Sequence, residues 1–101
     1  MATDKYMEWP LPKYAFWDVS LDNLDVIDNR EFIISRMFER GKLEDVFDTV
    51  AVYGKDETKR VLQNNKYLNR SGLYLAHSLL DLPLKDFKAY ATLKHNRSIS
   101  L

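Results

Sequence analysis

The chain has 101 residues with 15 Lys or Arg against 15 Asp or Glu, and 46% of it is hydrophobic. One domain of this size buries about 60 to 65% of its unfolded surface, enough for a core without staples. It has no cysteine, which excludes disulfides, thiolate metal sites and cysteine nucleophiles, and no run approaches the roughly 18 apolar residues of a membrane span. The opening MATDKYMEWP lacks the basic start and apolar run of a signal peptide, so a cytoplasmic protein is expected.

Residues 1–20 carry Pro10, Pro12 and the rings Tyr6, Trp9, Tyr14, Phe16 and Trp17 without helical period. They read as an extended aromatic arm, since the prolines favour polyproline-like geometry. Each large ring can bury about 150 to 250 Å². Phe16 and Trp17 are therefore expected on the core, and Trp9 on the core or on a partner. The set Trp9, Tyr14, Phe16 and Trp17 is the candidate partner-binding surface.

An all-α domain follows over residues 21–91, with four main helices and a short fifth. Asp28 with Glu31 three residues on suggests a capping box, Ile33, Ile34, Met37 and Phe38 make an apolar face, and Gly41 suits a left-handed C-terminal cap, giving a helix over 29–40. The run KLEDVFDTVAVYG predicts a second helix with Leu43, Val46, Phe47, Val50 and Tyr53 at heptad-like spacing, ended by Gly54. A third, over 56–64, buries Thr58, Val61 and Leu62 and has acids in its first turn. The stretch NRSGLYLAHSLLDLP is apolar on nearly every side. It predicts a central helix capped by Asn69 and stopped before Pro83, with Leu75 as a core position where a charge would unfold the domain. Gly72 in its first turn suggests close approach of another backbone. Pro83 opens the short fifth helix, with Leu84, Phe87 and Ala91 on one side. Residues 92–101 read as a frayed tail.

Chemical motifs are absent. His77 reads as a rim residue of the core, no glycine-rich phosphate loop or nucleophile elbow occurs, and Asp22, Asp25 and Asp28 lack the ligand alternation of a calcium loop. The expectation is no enzyme activity, no metal and no cofactor. Residues 1–54 hold six Lys or Arg against eleven Asp or Glu, about minus five, and residues 55–101 hold nine against four, about plus five. The candidate nucleic-acid contacts are Lys59, Arg60, Lys66 and Arg70, on a helix pair of helix-turn-helix size. The second of those helices is too apolar to lie in a groove. A DNA-binding regulator is therefore the alternative to a protein-interaction module, and appreciable duplex binding by the isolated chain is not expected.

The ordered motifs Phe16-Trp17-Asp18-Val19, Leu21-Asp22-Asn23-Leu24-Asp25, Phe32-Ile33-Ile34-Ser35-Arg36, Leu43-Glu44-Asp45-Val46, Tyr53-Gly54 and Leu68-Asn69 resemble a family of small bacterial domains of unknown function. The resemblance spans about residues 16–90. Members of that family are often encoded beside nucleotidyltransferase-type toxins of abortive-infection systems. It therefore implies an antitoxin-like role with such a toxin as the protein partner, and it supplies no catalytic residues. Where the family tends to show Asn-Phe-Trp, this chain has Tyr74-Leu75-Ala76.

Overall fold

The computed structural model describes residues 11–21 and 24–93. The described chain is all-α: α1 (Arg30–Arg40), α2 (Leu43–Tyr53), α3 (Lys55–Asn64) and α4 (Arg70–Leu79), with 3-10 turns at Lys13–Ala15 and Leu84–Asp86. A last helical segment, α5, covers residues 88–93 of the described chain. No strand occurs among the described residues, and none of their helices is long and apolar enough to cross a membrane.

The central helix is α1, not the 69–83 stretch. Two adjacent apolar rows of α1 serve two different clusters. Ile33 and Met37 face Ala15 and Phe16, while Ile34 and Phe38 join Val46, Val61, Leu62, Leu73, Ala76, Leu80 and Phe87. Rows at i, i+4 on neighbouring tracks lie about 100° apart, so one helix can separate and bridge two cores. Helix α4 buries Gly72, Leu73 and Ala76, but exposes Arg70, Ser71, Tyr74 and Ser78, and Leu75 is only half-buried. Its outer face is wet through hydroxyl groups, which a search for charge overlooks.

The helix ends have local causes. Asn69 caps α4, its side chain accepting from the Gly72 amide at 2.8 Å, and Glu39 of α1 accepts from the Asn69 amide at 2.8 Å. A carboxylate at a helix N-terminus suits the dipole and ties α4 to α1. A Cβ on Gly72 would meet side chains, Glu39 Cγ and Leu68 Cδ1 at 3.0 Å, rather than another backbone. The helix stops at Leu79, short of Pro83, because Asp81 turns the chain at φ 56° and the His77 ring Nδ1 donates to the Leu82 carbonyl.

Three other expectations about ends are corrected. Asp28 does not cap α1; Asn29 takes the N-cap position, and the Asp25 carboxylate accepts from the amides of Ile27 and Asp28 at 2.8 and 3.0 Å, folding the turn ahead of the helix. Gly41 is not left-handed, with φ −78°; it must be small because a Cβ would fall 2.6 Å from the Met37 carbonyl oxygen. Gly54 is the glycine at positive φ, 90°, and alone joins α2 to α3. Pro83 precedes a 3-10 turn, after which the phase shifts, so Ala89 is buried and Ala91 is exposed. Thr92 and Leu93 are helical, and residues 94–101 of the expected tail lie outside the described residues.

Candidate interaction surface

Residues 11–21 form a strap across α1. The 3-10 turn sends Phe16 inward, where it is 1% exposed and meets the Phe32 ring edge-on at 5.9 Å. Trp17, its chain neighbour, is turned outward and 61% exposed, so it does not lie on the core as expected. Burial likewise removes Phe16 from the residues a partner could reach. Trp9 lies outside the described residues.

Arg36 holds the strap. Its guanidinium pairs with both oxygens of Asp18 at 2.6 and 3.1 Å and donates to the Ala15 carbonyl at 3.0 Å. The same group lies over Phe32 at 4.7 Å, Trp17 at 5.4 Å and Phe16 at 5.9 Å. A planar fork can do both at once, bonding in its plane and stacking on its faces. The Arg36 hydrogen bonds hold the Asp18 carboxyl below its ordinary value. Arg40, one turn on, lies 4.7 Å from the Trp17 ring. At the other end of the strap Lys42 Nζ is 5.1 Å from the Tyr14 ring, and the Tyr14 hydroxyl donates to Asp45, whose carboxylate pushes the phenol up to about 12. Trp17 and Tyr14 are thus both displayed on a pinned segment, each with a cation over it.

These cations were invisible in the sequence reading. Some twenty residues separate the strap from Arg36, Arg40 and Lys42, and no local pattern joins them. On α2 the residues at heptad-like spacing do not share one environment, since Leu43 and Phe47 are 56% and 52% exposed. Val46 and Thr49 take the core side, and the Tyr53 hydroxyl donates to the Val26 carbonyl at 2.6 Å.

The four candidate nucleic-acid residues are distributed over two helices and the turn between them. Lys59 on α3 is half-buried; Lys66 and Arg70, in the turn and at the start of α4, are exposed without an ion pair among the described residues. Arg60 is committed to Glu57 at 2.7 Å and lies 4.0 Å from Glu31. Glu57 also pairs with Arg30 at 2.7 Å, linking α3 to the start of α1, and Arg60 first, then Arg30, lower its pKa to about 2. A lowered carboxylate contributes stability above its ordinary value near 4.5, and that contribution fades as pH falls towards 2. With half-exposed arginines it is worth about 1 kcal/mol. Urea titrations should therefore show Glu57→Gln less stable than wild type at neutral pH, with the gap closing below the ordinary carboxylate pKa; a gap constant down to pH 2 would remove the network from the stability of the fold.

An open groove of about 400 Å³ lies between α1 and α3, lined by Ser35, Glu39, Val61, Asn65 and Tyr67 among others. Its polar groups are used internally: Asn65 donates to Ser35 Oγ at 2.8 Å, and Glu39 accepts from Asn69. No set of polar groups converges on a ligand there.

Residues 11–62 match the model of a family of unknown function, DUF6922. The chain belongs to that family. The match takes in the strap, α1, α2 and α3 up to Leu62, and therefore every residue of the strap surface described above; α4 lies beyond it. No curated protein and no solved structure matches the chain significantly.

Proposed function

We propose that this DUF6922 protein is a non-enzymatic interaction module of the cytoplasm whose strap surface docks a protein partner, and that the partner is a nucleotidyltransferase-type toxin restrained in the manner of an antitoxin. The observation that carries the docking reading is Trp17, left 61% exposed on a segment pinned by Arg36. An exposed indole on a rigid backbone, with Arg40 beside it, has the composition of an interface hot spot and loses little entropy when covered. The resemblance of the ordered motifs to domains encoded beside such toxins supplies the partner's class. The DNA-binding alternative has less support, because the Arg60 charge is already held by Glu57 and Glu31.

The test is affinity purification of the tagged chain from its native host, wild type beside Trp17→Ala, with the retained proteins identified by mass spectrometry. A nucleotidyltransferase-type protein held by wild type and lost at least about tenfold by the variant is the expected result, since a hot-spot truncation costs about 2 kcal/mol or more. Equal retention by both would take the partner off the strap, and a partner of another class would end the antitoxin reading.

A further inference from the structure

We propose that the outer face of α2 is a second docking surface, and that it takes a basic amphipathic helix of another protein. This goes beyond the strap reading and needs neither Trp17 nor a toxin. Leu43, Phe47 and Ala51 follow one another at four-residue spacing, so they share one side of α2, and all three are exposed. Isolated apolar residues on a surface are ordinary, but a row along one helix is a ridge. Four-residue ridges are the kind that seat into the grooves of a second helix. Val50, half-buried and packed on the main core, continues the ridge inward, so a docked helix would extend the core rather than sit on an island.

The charge on this helix selects the occupant. From Leu43 to Tyr53 there are three carboxylates, Glu44, Asp45 and Asp48, and no Lys or Arg. Asp45 is spent, accepting from the Tyr14 hydroxyl and, at 2.8 Å, from the Lys42 amide. Lys42, the nearest preceding cation, is turned to the Tyr14 ring. Glu44 and Asp48 remain exposed and without partners among the described residues, forming a second row beside the apolar one. The helix dipole accounts for an acid in the first turn, as at Glu44, but not for Asp48 in the second. An apolar stripe bordered on one side by unpaired carboxylates is complementary to a helix with an apolar stripe bordered by Lys or Arg. An acidic helix would meet like charge at both Glu44 and Asp48.

The probe is a synthetic leucine–lysine peptide of amphipathic helical pattern, with its leucine–glutamate counterpart as control, titrated into the isotope-labelled full-length protein. The expected result is that the lysine peptide shifts the amide resonances of Leu43, Phe47 and Ala51 while the glutamate peptide leaves them in place. Leu43→Ser with Phe47→Ser should weaken binding about tenfold or more while the protein keeps a cooperative melt, because about half of each residue is already in water in the free protein. Glu44→Lys with Asp48→Lys should reverse the preference between the two peptides. Binding that maps away from α2, survives the serine pair, or fails to distinguish the peptides would overturn the proposal. So would a concentration-dependent dimer of the wild type that the serine pair abolishes, since a second copy would then be the occupant.

Discussion

Replacing Leu73 by aspartate is expected to abolish cooperative folding. Leu73 is fully buried on α4, in the cluster it shares with Ile34, Phe38, Val61 and Leu62. A carboxylate placed there has no cation or amide within the cluster to meet it, so it must be desolvated alone or protonate at a cost of several kcal/mol, on top of the lost packing. Set against about 5 to 15 kcal/mol for a whole domain, that is enough to unfold it. Far-ultraviolet circular dichroism of the variant should show no cooperative melt. Leu75, the position that periodicity alone selects, is half-buried, and an aspartate there can reach water; Leu75→Asp should lower the melting temperature yet keep a cooperative transition. A Leu73→Asp variant melting within a few degrees of wild type would take α4 out of the core.

Arg36→Ala is expected to release the strap, with a loss of about 2 kcal/mol. The Arg36 side chain is 13% exposed, and its removal costs the Asp18 fork, the bond to the Ala15 carbonyl and the packing against Phe16 and Phe32. Arg36→Lys should recover only part of this, because an ammonium cannot bond bidentately in one plane while stacking on rings. Arg40→Ala should have a smaller effect, since Arg40 is exposed and its described contact is with one ring. The measurement is limited proteolysis between Leu11 and Leu21 alongside urea denaturation. The Arg36 variants should be cut first at the strap. If Arg36→Ala resists protease as wild type does, the strap is held by Phe16 burial alone and Trp17 is not displayed by a clamp.

Helix positions were largely legible because their signals are local. Asn69 as a cap, Gly54 at a turn, and the buried trio Thr58, Val61 and Leu62 follow from backbone geometry and 3.6-residue periodicity within ten residues of chain. The errors fall where two local solutions compete. Asp28 and Asp25 are both plausible turn-formers three residues apart, and Asp25 wins by accepting two amides. Gly41 was legible as a required glycine but not for its reason, which is the Met37 carbonyl oxygen 2.6 Å from where a Cβ would be.

The candidate surface was legible only as a list of rings. That Tyr14 and Trp17 remain outside while Phe16 goes in depends on one 3-10 turn, and that cations stand over them depends on where α1 ends. Residue order by itself therefore determined that this is a small helical protein, roughly where its helices start and stop, and which residues are apolar enough to want cover. Only the tertiary structure decided which of them receive it: α1 rather than α4 at the centre, and Trp17, Leu43 and Phe47 left in water. Periodicity records that a face is apolar through contacts within one helix, whereas burial is settled by elements twenty or more residues away.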